Sequence, residues 1–205
     1  MITITKMELA SFYPVNTFIN AATLDGKLGI CVTKDPAITE VDEPTFARLV
    51  SPDFKNGVIE VTVLSRLLEN APDFARGFIG VAFRIDEGNS KFEGMYIRPT
   101  NGRADDQLRR NRSTQYFFYP DFKFDRLRNE VPGKYESYAD MGLNEWIQIR
   151  IEVQGEHAKL FLNGAEQPVL IVSDLKHGAN ASGGIGLWVD VGTEGYFTNL
   201  KIENK

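Results

Sequence analysis

Hydrophobic and polar residues alternate with a period of two along most of the chain. Ile147, Ile149, Ile151 and Val153 are interleaved with Gln148, Arg150, Glu152 and Gln154. That period sends one row into a core and the other toward solvent or a second layer, as a β-strand requires. Gln154-Gly155-Glu156 predicts a turn, residues 158–162 a strand, and Asn163-Gly164 a hairpin bend. After a loop, Ile185, Leu187, Val189 and Val191 alternate with Gly186, Trp188 and Asp190, and residues 196–202 predict a last strand.

The same rhythm runs through the first half. Residues 12–21 predict an N-terminal strand that should pair near the C-terminal one. Asp25-Gly26 is a turn before Leu28, Ile30 and Val32, and Asp35-Pro36 and Glu43-Pro44 bracket a loop. Residues 46–50 predict a short strand, 52–57 a turn, and Ile59, Val61 and Val63 a strand with Glu60 and Thr62 opposite. In 78–85, Ile79, Val81, Phe83 and Ile85 form the core row. Gly80, Ala82 and Arg84 form the other, and small residues beside one long cation suit a groove floor. In 92–98, Met95 and Ile97 point inward while Gly94, Tyr96 and Arg98 point outward.

From 99 to 143 the alternation stops. The stretch opens with Arg103, Arg109, Arg110 and Arg112 against Asp105 and Asp106, and continues with Tyr116, Phe117, Phe118, Tyr119, Phe122 and Phe124. Loops of this length are functional or disordered, and so many aromatics predict packing. We expect a strand at 115–119, a folded flap beyond it, and a turn with an edge segment at 130–138. The fold expected is all-β: a two-sheet antiparallel β-sandwich forming one domain over 1–205, with the 99–143 flap inserted.

Composition narrows the function classes. The 205 residues are 42% hydrophobic, with 14 Phe and 7 Tyr, enough for a two-sheet core. A net charge of −5 argues against nucleic-acid and anionic-membrane partners. The lone Cys31 excludes an internal disulfide and is expected as a small buried hydrophobe. His157 and His177 stand apart with no metal-ligand spacing. Residues 1–6 are too short and polar for a secretory leader, and no apolar run approaches a membrane span. Localisation stays open: cytoplasmic by default, exported if a leader precedes the given residues.

The order of Trp146, Gly155, Asn163-Gly164, Gly184-Ile185-Gly186 and Phe197-Thr198-Asn199-Leu200 resembles the concanavalin A-like lectin/glucanase superfamily. Within it, the pattern is similar to laminin-G-like domains and to the 3-keto-disaccharide hydrolase (family-16-like) domains. The resemblance implies a jelly-roll sandwich and a carbohydrate ligand. Glycoside cleavage, non-catalytic binding of a protein or acidic glycan, and a calcium ion all occur within such a superfamily. In the hydrolase domains the strand matching residues 94–98 resembles G-x-E-x-Q. Here Tyr96 and Arg98 occupy the last two specified places, which removes a carboxylate.

Sugars are held by aromatic stacking and by planar polar groups matched to vicinal hydroxyls. Arg84, Tyr96, Arg98, Trp188 and Asp190 fall on one predicted face by alternation and form the expected ligand-binding set. The arginines of 98–112 read either as a solvated loop paired with Asp105 and Asp106 or as a clamp for a carboxylate, sulfate or phosphate. Glu40-Val41-Asp42-Glu43 lacks the spacing of the family-16 E-x-D-x-E strand and runs into Pro44. No catalytic residue is assigned: Glu60, Glu145 and Asp190 could meet only through the fold, and no cofactor or metal motif is present.

Overall fold

The computed structural model describes residues 2–4, 6–51 and 53–205. The 52–57 turn therefore begins on a residue, Pro52, outside those described. Among the described residues there are fifteen strands: β1 (Ile2–Ile4), β2 (Phe12–Val15), β3 (Thr17–Leu24), β4 (Lys27–Lys34), β5 (Phe46–Leu49), β6 (Gly57–Leu67), β7 (Ile79–Ile85) and β8 (Phe92–Ile97). Then follow β9 (Thr114–Tyr119), β10 (Glu136–Ser137), β11 (Ile147–Gln154), β12 (His157–Leu162), β13 (Leu170–Val172), β14 (Gly184–Val189) and β15 (Thr193–Asn204). Two short helices, α1 (Gln107–Arg110) and α2 (Phe124–Glu130), flank β9.

The strands form two antiparallel sheets. The larger runs β13-β12-β11-β6-β15-β4-β3, and β1 pairs with the C-terminal part of β15; the smaller runs β10-β9-β8-β7-β14-β5-β2. The protein is thus an all-β, two-sheet antiparallel sandwich. Its core is one cluster of inward side chains from both sheets, including Ile59, Val61, Val81, Met95, Ile149 and Leu187. Burying these apolar surfaces is the main drive for the two layers to close.

The expected N-terminal strand 12–21 is two strands. At Asn16 the backbone adopts φ 49°, and the chain crosses from the smaller sheet (β2) to the larger (β3). A left-handed corner of this kind suits Asn better than most side chains. The strand that pairs with β15 from the N-terminus is β1; β3 reaches β15 only across β4. Residues 130–138 do end in an edge strand, β10. The helices α1 and α2 carry no clear apolar period and were absent from the expected elements.

The two sheets differ in what covers their outer faces. Along β6 and β11 burial alternates, leaving Glu60, Gln148 and Glu152 at least partly open. Along β7, β8 and β14 every residue is buried. The smaller sheet is therefore covered on both faces, as its near-continuous apolar runs require. Cys31 on β4 is half-buried rather than fully buried, and burial, with Glu194 adding to it, pushes its thiol up to about 11.

Candidate functional site

On the outer face of the smaller sheet an aromatic layer lies over a bed of small residues. Trp188, Tyr96, Phe117, Phe92 and Phe46 contact one another edge-on or tilted, with Tyr96 and Trp188 4.7 Å apart between ring centres. Gly94 and Gly186 lie beneath: a Cβ on Gly94 would come within 2.2 Å of the Phe117 ring, and one on Gly186 within 2.8 Å of Phe46. This layer is fully buried, with Trp188 1% and Tyr96 2% exposed. The open groove expected from alternation is instead a roofed surface.

A cavity of about 230 Å³ lies beside the layer, where residues following β8 and β14 meet α2. Tyr96 enters it from β8, and Arg98 and Asp190 enter from the residues just after β8 and β14. Phe74, Arg76 and Phe78 come from the connection before β7, Asp42 from the loop before β5, and Phe124 and Arg128 from α2. Phe74, 55% exposed, stands as an open ring. A larger hollow of about 670 Å³ near the β11–β12 turn is lined by Asn56, Glu152, Gln154 and His157, none of them buried. It gathers no enclosed polar groups, so the 230 Å³ cavity is the better candidate.

Polar groups inside the cavity are firmly placed. Arg98 donates to the Tyr96 hydroxyl at 2.8 Å and to Gln115 at 3.0 Å, and its guanidinium lies over the Tyr96 and Phe124 rings. Asp190 accepts from Lys34 at 2.6 Å, from the Val191 N–H at 2.7 Å and from the Asp42 N–H at 2.9 Å. Both of its oxygens are thus used to hold Lys34 and the loop that carries Asp42. Asp42, at φ 52°, accepts from the Phe124 N–H at 2.7 Å and lines the cavity together with Tyr96. Burial, then the neighbouring Asp190 charge, raises the Asp42 carboxyl to about 7.

The five expected ligand residues divide. Tyr96, Arg98 and Asp190 line the cavity and Trp188 supports Tyr96 from behind, donating its own ring N–H to the Glu43 carbonyl. Arg84 lies elsewhere. It is the extra residue of a β-bulge, at φ 54°, where the β7–β14 register shifts between Gly184 and Ile185. The bulge breaks the two-residue period and sends Arg84 into the end of the sandwich. There it donates to the carbonyls of Lys55, Gly155 and Gly178 and faces Glu93 at 3.9 Å. Glu93 accepts from the Tyr116 hydroxyl and the His177 N–H, which ties down the loop before β14.

Glu60 and Glu145 do not meet Asp190. Glu60 sits in the larger sheet opposite Arg150 and Lys201, and Glu145 holds Arg103 at the surface. The arginines of 98–112 split as well. Arg103 pairs with Asp140 and Glu145, and Arg110 lies over Tyr138, while Arg98, Arg109 and Arg112 line the cavity. Sequence reasoning missed Asp42, Phe74, Arg76 and Arg128. Each comes from a connection or helix whose approach depends on contacts distant in the chain. Among the described residues no three His, Cys, Asp or Glu side chains converge as a metal site, and no helix is long and apolar enough to cross a membrane.

Fold and site together define a class: an antiparallel β-sandwich with an aromatic- and arginine-lined pocket on its smaller sheet. Solved structures share that fold. The carbohydrate-binding module CBM66 from Bacillus subtilis superposes with a TM-score of 0.59 at 14% identity, covering 94% of this chain and 96% of that one. A Bacillus subtilis protein of unknown function with a galectin-like fold gives 0.55 at 11% identity, covering 98% and 92%. No protein-family model and no curated protein sequence matches the chain. At these identities the likeness is one of fold.

Proposed function

We propose that this protein is a carbohydrate-binding β-sandwich, acting as one domain, which takes the end of a glycan chain into the cavity beneath the 99–143 insertion. The observation that carries the reading is the company of Tyr96, Phe78, Phe124 and the open Phe74 ring with Arg98 and Asp42 in one small cavity. Aromatic faces match the apolar faces of a sugar ring, and fixed charged and hydroxyl groups match its hydroxyls. At about 230 Å³ the cavity is smaller than the ~300–1,000 Å³ clefts that hold larger ligands, so a single terminal sugar fits the reading. The resemblance of the C-terminal strand pattern to the concanavalin A-like superfamily, and the shared fold with a carbohydrate-binding module, support it.

A second reading, glycoside cleavage, rests on Asp42. A carboxyl raised to about 7 stays protonated where a general acid must act. Glycosidases pair such an acid with a second free carboxylate, and the oxygens of Asp190 are already engaged, so binding is the stronger reading. A laminin-G-like role, in which the flap holds a protein, would leave the cavity unused.

The test is a thermal-shift screen against oligosaccharides, with the same mixtures assayed for new reducing ends. A ligand that binds only the folded protein raises its melting temperature by mass action. A glycan-dependent rise without new reducing ends is the expected result; new reducing ends would favour cleavage, and no rise with any glycan would refute both.

A further inference from the structure

Five arginines line the cavity, at 76, 98, 109, 112 and 128, against two carboxylates, Asp42 and Asp190. Three of the five have an acid already. Arg98, Arg112 and Arg128 all reach Glu136, at the edge of the same sheet. The other two do not. Arg76 donates only to the carbonyls of Asp73 and Ala75, and Arg109 only to Asn101 Oδ1 and the Thr100 carbonyl. Among the described residues neither forms an ion pair.

Their mutual position is costly. Burial, and then the Arg109 and Arg98 charges, lower the pKa of Arg76, with Asp73 offsetting part of the effect. Like charges gathered at one cavity, in a chain whose net charge is −5, need a reason. A guanidinium presents a planar fork of donors, so two of them at a cavity without a carboxylate partner offer a seat for an oxyanion.

Resting on the carbohydrate reading above, we infer that the ligand is an acidic glycan, whose carboxylate or sulfate is held by Arg76 and Arg109 while the ring that bears it enters beside Tyr96 and Phe124. The shared chemistry is an anionic oxygen group on a sugar; a uronate and a sulfate ester both supply it. The positive cavity draws such a ligand in and favours it over a neutral sugar of the same shape. Arg109 lies at the exposed side and Arg76 deeper, so the anion enters past Arg109.

The experiment is calorimetric titration of the full chain with three probes: oligogalacturonate, its fully methyl-esterified neutral form, and a sulfated galactan oligosaccharide. Each is run at low and at high salt, with wild type, Arg76→Gln and Arg109→Gln, and the melting temperature of each variant checks folding. We expect at least one acidic probe to bind about tenfold or more tightly than the neutral ester, with a preference that salt weakens and that each variant reduces about tenfold. The carboxylate and sulfate arms tell the two sources apart. Equal binding of acidic and neutral probes, insensitive to salt and to both substitutions, would overturn the inference and leave the carbohydrate reading standing. Absence of binding by any of the three would count against this inference, and the broader glycan screen would then decide the carbohydrate reading separately.

Discussion

The carboxylate of Asp190 accepts the backbone N–H of Asp42 at 2.9 Å, joining positions 148 residues apart. Its other oxygen holds Lys34 at 2.6 Å, with both side chains nearly dry. The end of β14 thus fixes the loop that carries the cavity's own acid. Asp190→Ala should strand a buried ammonium and release that loop, at a cost of roughly 3–5 kcal/mol. Chemical denaturation measures it. Adding Lys34→Met should recover a good part of the loss, and no recovery would mean that the ion pair is not the reason for it.

Stability should fall as pH rises toward neutrality. Asp42 and Glu93 each sit at about 7 when folded, against ordinary values of 3.8 and 4.5, with burial the main cause for both. Between those limits the folded protein binds more protons than the unfolded chain. The stability contributed by the neutral carboxyls is therefore full below about pH 4 and lost as pH passes 7. Urea melts from pH 4 to 8 should show the decline, and Asp42→Asn should flatten part of it; an unchanged profile in that variant would remove Asp42 from the account.

Arg84 should matter for folding and not for ligand. It is wholly buried in the bulge and satisfies three carbonyls beside Glu93. Arg84→Lys cannot reproduce that fork and should lower the melting temperature by several degrees while the folded protein keeps its glycan affinity. A large loss of affinity in protein shown to be folded would return Arg84 to the binding set.

The aromatic layer should resist added volume. Gly94→Ala would drive a methyl into the Phe117 ring, which leans on Trp188 and Tyr96. The expected cost is about 1–3 kcal/mol, read by denaturant melts, with weakened glycan binding because Tyr96 shifts. Trp188→Ala is a poor probe of binding by contrast, since it empties a buried site and costs about 3–5 kcal/mol in its own right.

Much of this was legible in the chain because strands carry their orientation in a period of two. Alternation placed Tyr96, Arg98, Trp188 and Asp190 on one side of one sheet, and the sandwich itself followed from the same pattern. It failed at Arg84, where one inserted residue reverses the parity and only the pairing partner reveals it. It also failed to show that the outer face is closed, although the unbroken apolar and aromatic residues of 78–83 and 116–119 are what a sheet covered on both sides needs. Asp42 was beyond reach for another reason. Its place depends on Asp190 and Phe124, and no local spacing encodes two contacts that distant.

The most direct measurement is the fluorescence of Trp188 during a glycan titration. Trp188 packs on Tyr96, the ring that lines the cavity, while the second tryptophan, Trp146, bonds Asp25 outside it and can be replaced by Phe to leave one reporter. If the cavity is the carbohydrate site, the Trp146→Phe protein should show a saturable change in emission that tracks the rise in melting temperature, and Phe74→Ala should weaken both about tenfold without loss of fold. A glycan that stabilises the protein while Trp188 emission stays flat and Phe74→Ala binds as well as wild type would place the site elsewhere and contradict the account.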